Sequence, residues 1–71
     1  MDPKSLVASN LRRIRLALDI TQEELAHRAG LSVRYVGAVE RAEASASITI
    51  VDQIATALGV DPGELLRRTP T

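Results

Sequence analysis

An all-α domain of five short helices is the fold class that this 71-residue sequence predicts, and three observations carry the prediction. Apolar residues recur at three- and four-residue spacing, as in Val7, Leu11, Ile14 and Leu18. Short polar residues that cap helices stand ahead of the apolar runs, and Gly30 and Gly59 stand just behind two of them. No segment alternates at period two for long enough to make a strand.

The first helix is expected from about Pro3 to Leu18, with Asp2 as N-cap and Pro3 at the first helical position. Val7, Leu11, Ile14 and Leu18 form its buried stripe, which leaves Leu16 on the opposite side with no core place. Thr21 and Glu24 form a capping box for the second helix, in which the hydroxyl takes a backbone N–H and the carboxylate reaches back. Gln22 is then the first helical residue, at a terminus whose partial positive charge and open N–H groups favour a phosphate. Gly30 ends this helix in a left-handed conformation. Ser32 caps the third helix, which runs at least to Arg41, and residues 42–47 form a connector. Ser47 or Thr49 caps the fourth helix, whose stripe is Ile50, Val51, Ile54 and Leu58 and which Gly59 stops. Asp61, Pro62 and Glu64 repeat the start signals for a fifth helix carrying Leu65 and Leu66, and residues 68–71 read as frayed.

Residues 1–71 have room for one domain with one modest core. Its 45% hydrophobic content is almost all Ala, Leu, Ile and Val, with Tyr35 the sole aromatic, which suits closely packed short helices. Without cysteine, neither a disulfide framework nor a thiolate metal site is possible. No apolar run approaches the roughly 20 residues of a membrane span. The N-terminus does not read as a signal peptide, so the expected location is the cytoplasm. Nine basic and nine acidic residues cancel. A non-specific nucleic-acid binder needs excess positive charge to neutralise phosphates, so a DNA-binding role requires sided charge or contacts doubled by dimerisation.

Residues 21–41 read as two short helices joined by one tight turn, with Leu25, Ala26, Leu31, Val36 and Val39 spaced to pack the pair. Two helices held at a steep angle present the outer face of the second, and a duplex major groove is wide enough to admit it. On a helical wheel Val36 and Val39 point to the core, Arg34, Gly37, Ala38 and Arg41 point away, and Val33 sits at the shoulder. Glycine inside a helix costs about 1 kcal/mol relative to alanine, so small residues flanked by arginines make more sense where another surface approaches closely. Arg34 is the candidate base reader, because a guanidinium can donate two parallel bonds to guanine O6 and N7. Ala38 and Val33 can meet thymine methyls, while Ser32 and Gln22 can bond phosphates and fix the register. Tyr35 lies beside this face, where it can stack on sugar, read a base edge or cover the second helix. Arg15 and Glu40 flank the core stripes of the first and third helices. A bridge between them would tie those helices and could aim Arg15 at a phosphate; the alternative is two unrelated surface charges.

Other signals are weaker. His27 stands alone, without a second metal ligand. Glu23 and Glu24 are explained by capping and the helix dipole. No Gly-rich phosphate loop, nucleophile elbow or zinc spacing is present. Hence no catalytic role, metal, cofactor or small-molecule ligand is expected. Leu16, Leu65 and Leu66 are candidates for a dimer surface or for closure of the core.

Several of these segments, in this order and spacing, resemble the helix-turn-helix family of the lambda-type phage repressors and Cro proteins, also called the xenobiotic-response-element type. They are Leu11-Arg12-Arg13-Ile14-Arg15, Thr21-Gln22-Glu23-Glu24-Leu25-Ala26, Ala29-Gly30-Leu31-Ser32, Glu40-Arg41 and Ile54-Ala55-Thr56-Ala57-Leu58-Gly59-Val60. The resemblance implies a compact five-helix domain that binds double-stranded DNA as a homodimer. It implies base-reading positions at 32, 33, 34, 37 and 38, a phosphate-contacting Gln22, and a salt bridge between Arg15 and Glu40. The stretch Ser32–Arg41 is most similar to the small controller proteins of restriction–modification systems, which also carry tyrosine at the position of Tyr35. The expected base contacts are thus Val33, Arg34, Tyr35, Gly37 and Ala38, and the expected phosphate contacts Arg15, Gln22, Ser32 and Arg41.

Two departures from the family matter. Ala42 stands where the family usually turns left-handed on glycine, and Ser45-Ala46 replaces its Asn-Pro pair. A left-handed alanine costs about 1–2 kcal/mol, so the third helix is expected to extend past Arg41 or the connector to take another path. The function expected from all this is a homodimeric bacterial or phage transcriptional regulator reading an inverted repeat. The competing expectation is an antitoxin-like or anti-repressor module that uses the same fold to hold a partner protein.

Overall fold

The computed structural model describes residues 1–68. The end expected to be frayed therefore lies outside the described residues except for Arg68, whose Nη1 donates to the Met1 carbonyl at 2.8 Å. Four α-helices follow in order: α1 (Pro3–Ala17), α2 (Gln22–Ala29), α3 (Val33–Glu40) and α4 (Ile48–Leu58). A 3-10 turn at Pro62–Leu65 follows α4, and no strand occurs among the described residues.

Each helix begins where a short polar side chain satisfies an otherwise open N–H group. Asp2 accepts from the Ser5 N–H at 2.8 Å, Thr21 from Glu24 at 3.0 Å and Ser32 from Tyr35 at 3.0 Å. Ser47, rather than Thr49, caps α4 and accepts from Ile50 at 3.2 Å. The bond from the Ser5 N–H holds the Asp2 carboxyl below its ordinary pKa. That stabilisation is present above the unfolded carboxylate pKa and is lost as pH falls through the lower folded one. The capping box of α2 is one-sided, because Glu24 pairs with Arg28 one turn on, at 3.2 Å. Helices α2 and α4 end on left-handed Gly30 (φ 70°) and Gly59 (φ 72°).

The core draws Val7, Leu11 and Ile14 from α1, Leu25 and Ala26 from α2, Val36 and Val39 from α3, and Val51, Ile54 and Leu58 from α4. Helix α3 packs against both α1 and α2, and α4 packs against α2 and the 3-10 turn. Leu18 does not join the stripe expected of it: α1 ends at Ala17 and Leu18 is 47% exposed. The chain turns there through left-handed Asp19 (φ 57°), while Leu6 is buried nearer the start of α1.

The expected fifth α-helix is a single 3-10 turn. Asp61 accepts from the Gly63 N–H at 2.8 Å, two residues on, where the caps of the four α-helices accept from the third residue on. Buried Asn10 of α1 then donates through Nδ2 to the carbonyls of Leu65 (2.9 Å) and Arg67 (2.8 Å). Those carbonyls are satisfied by α1, so no further helical turn is needed to satisfy them. Leu65 is fully buried beneath this clamp and belongs to the core, not to a dimer surface.

The expected extension of the third helix is also overturned. Helix α3 stops at Glu40, Arg41 is its C-cap, and Ala42 is left-handed at φ 59°. The Ala42 N–H donates to Val39 at 3.1 Å and the Glu43 N–H to Ala38 at 2.9 Å, closing the helix end as a glycine would. Ala44 and Ala46 pack against the core, and the Tyr35 hydroxyl donates to the Ser45 carbonyl at 3.2 Å. These contacts together offset the strain of one left-handed alanine.

Two outcomes follow for stability. Ala42→Gly removes about 1–2 kcal/mol of strain and adds about 0.5–1 kcal/mol of unfolded-chain entropy. A net gain of about 0.5–1 kcal/mol is expected, visible as a melting point several degrees higher; an unchanged or lower one would contradict the left-handed turn. Asn10→Ala strands two carbonyls and should lower stability by about 2–3 kcal/mol in urea unfolding.

Candidate nucleic-acid interface

The geometry of the interface begins with a charge that is buried. Arg15 donates through Nε to Glu40 Oε2 at 2.6 Å, through Nη2 to Oε1 at 3.1 Å, and through Nη1 to the Ile20 carbonyl at 2.8 Å. Gln22, the first residue of α2, donates through Nε2 to the same Glu40 Oε1 at 3.1 Å. The side chains of Arg15 and Glu40 are only 11% and 4% exposed. One carboxylate at the end of α3 thus receives donors from α1 and from the start of α2. The two residues are partners rather than separate surface charges.

Fixed in this way, α3 turns its first residues outward. Ser32, Val33 and Arg34 are exposed, and Ala38 is half-buried one turn further on. Apolar Val33 retains 44% exposure, an unshielded methyl surface in the first turn of α3. Tyr35 is half-buried against the core and uses its hydroxyl to hold the connector. Gly37 is buried, with the tip of Arg41 above it. Among the expected base contacts, therefore, Val33 and Arg34 are open, Ala38 is partly open, Tyr35 is engaged and Gly37 is covered.

Arg15, Gln22 and Arg41 come together with Arg12 and Glu40 around an open cleft of about 230 Å³. Three arginines line it against Glu40, and Glu43 pairs with Arg41 at 3.1 Å, so a chain of zero net charge keeps a small local excess of positive charge there. Ser32, the remaining expected phosphate contact, is exposed at the start of α3. Arg12 had no individual role in the sequence. Its signal is the three-residue spacing from Arg15, which puts both on one side of α1.

The other candidates are placed as follows. Leu16 (57%) and Leu66 (47%) are exposed. Ile48, the first residue of α4, is 86% exposed. Sequence reasoning passed over it because it precedes the apolar stripe of its helix. His27 is exposed, and no group of three or more His, Cys, Asp or Glu able to hold a metal occurs among the described residues. No described helix is long and apolar enough to cross a membrane.

A family model described as helix-turn-helix matches residues 11–65. An uncharacterised HTH-type transcriptional regulator, y4dJ, of Sinorhizobium fredii is 39% identical over the whole of this chain and 90% of its own length. Control protein C.SmaI of Serratia marcescens is 37% identical over 96% of this chain and 81% of its own. Among solved structures, the restriction–modification controller protein C.AhdI of Aeromonas hydrophila superposes with a TM-score of 0.84 at 39% identity. That match covers 87% of this chain and 94% of the controller. These relatives are transcriptional regulators, a non-enzymatic kind of protein.

The buried pair yields a contrast that unfolding can measure. Glu40→Ala leaves Arg15 buried without its partner and should lower stability by about 3–5 kcal/mol. Arg28→Ala breaks an exposed pair with Glu24 and should change it by no more than about 0.5 kcal/mol. Similar losses from both would deny Glu40 its anchoring role.

Proposed function

Since this chain belongs to the helix-turn-helix family of transcriptional regulators, we propose that it binds DNA sequence-specifically as a homodimer, with α3 in the major groove. The observation that carries this reading is the open first turn of α3, Val33 and Arg34, on a helix whose far end is held by Arg15 and Gln22. Arg34 donates to a guanine edge, and Val33 and Ala38 meet thymine methyls. Arg12, Gln22, Ser32 and Arg41 take backbone phosphates and fix the register without reading sequence, while Arg15, expected as a phosphate contact, is buried in its bonds to Glu40 and the Ile20 carbonyl and supports them from behind. Tyr35 serves this interface by holding the connector.

Two copies on an inverted repeat would set their α3 helices about 34–36 Å apart, one helical turn of DNA. The role is that of a small controller or repressor in the bacterial cytoplasm, a reading supported by one relative named a control protein and another named a restriction–modification controller protein. A protein-holding role is the second reading, favoured by the exposure of Leu16 and Ile48.

Selection from a randomised duplex pool at moderate salt decides between them. An enriched inverted repeat is the expected result; no enrichment, with tight binding to a co-encoded protein, would favour the second reading. With the selected site in hand, Arg34→Ala should weaken binding by about 1–3 kcal/mol and relax preference at one base pair. Equal weakening on every sequence would make Arg34 a phosphate contact instead.

A further inference from the structure

Gly37 lies inside α3, where glycine is a poor helix former, and its φ is not positive, so the backbone does not require it. What a side chain there would meet is the tip of Arg41. A Cβ at Gly37 would stand 3.0 Å from Arg41 Nη1 and 3.7 Å from Gln22 Oε1. Helical side chains tilt toward the N-terminus, so a residue four positions on lies over the one before it. Arg41 accordingly folds back over Gly37. The turn through left-handed Ala42 brings Glu43 alongside, where its carboxylate accepts from Arg41 Nε at 3.1 Å.

We propose that Gly37 is a positioning residue: its missing side chain is a notch in which the Arg41 guanidinium lies, so DNA meets a placed cation there and not a glycine. This rests on the DNA-binding reading above and departs from the expectation that Gly37 touches bases. It also explains why a small residue occupies an outward position that is nevertheless buried. Glu43 steadies the guanidinium from its other edge, but both partners are more than half exposed, so this pair is weak.

The test is a double-mutant cycle on the full chain, with the duplex selected by the wild-type protein as probe. Gly37→Ala should weaken binding about tenfold, the scale of a lost charged hydrogen bond. It should also flatten the dependence of log affinity on log salt by about 0.9, the share of one phosphate contact. In an Arg41→Ala background the same substitution should change neither quantity. Its melting point should hold or rise, since alanine is the better helix former and only a flexible side-chain tip must move. Equal losses in both backgrounds would overturn the proposal and return Gly37 to direct contact with DNA. A fall in melting point would overturn it as well, because more than the tip of Arg41 would then depend on the notch. A wild-type chain that selects no duplex removes the DNA reading itself, and this role with it.

Discussion

The Glu40 carboxylate is the point on which the rest of this structure depends. Helix α3 has eight residues, well below the roughly 12–15 at which an isolated helix begins to hold in water. Its shape therefore comes from what surrounds it. Apolar packing of Val36 and Val39 holds it in the core, but apolar contact is non-directional. Glu40 adds direction, since it receives two donors from Arg15 and one from Gln22. A buried pair of this kind is weak evidence for net stability, because desolvation of both charges opposes their attraction. Its effect here is geometric: it sets the angle at which α3 leaves the body of the protein.

The same carboxylate organises the charge of the interface. Arg12, Arg15 and Arg41 surround the cleft that Glu40 lines. Like charges that close would repel, and Glu40 offsets part of that repulsion while leaving the surface positive. A chain with nine basic and nine acidic residues exerts little attraction at long range. Its positive face acts at close approach, within the roughly 8–10 Å over which salt leaves a charge visible. Such a chain favours a partner whose shape lets it come near, over any polyanion at a distance.

Two irregular segments of the chain are held by polar side chains of packed helices. Asn10 fastens the 3-10 turn to α1 through two carbonyls, and Tyr35 fastens the connector through one. In both places the backbone departs from regular helix, and the side chain supplies a bond that a further helical turn would have made. No buried side-chain nitrogen or oxygen among the described residues lacks a partner. That condition is what lets so small an aliphatic core contain an arginine and an asparagine.

What the sequence by itself determined is where helices start and stop wherever a capping side chain or a glycine decides it. The caps at Asp2, Thr21 and Ser32, the left-handed Gly30 and Gly59, and the outward placement of Arg34 are all local, and all were legible, whereas Val33, read at the shoulder of the helix, is 44% exposed. The Arg15–Glu40 pair could be named from two helical wheels but not distinguished from two free charges, because that needs the angle between helices. Tertiary structure alone decided the burial of Leu65, whose clamp comes from Asn10, 55 residues away. It also decided the exposure of Leu18, the left-handed turn at Ala42 and the covering of Gly37 by Arg41. In these the expected helical course gave way to a distant bond at Leu65, to a left-handed turn at Asp19 and at Ala42, and to a folded-back side chain at Gly37. A sequence displays the preference, but the bond exists only once the helices have packed.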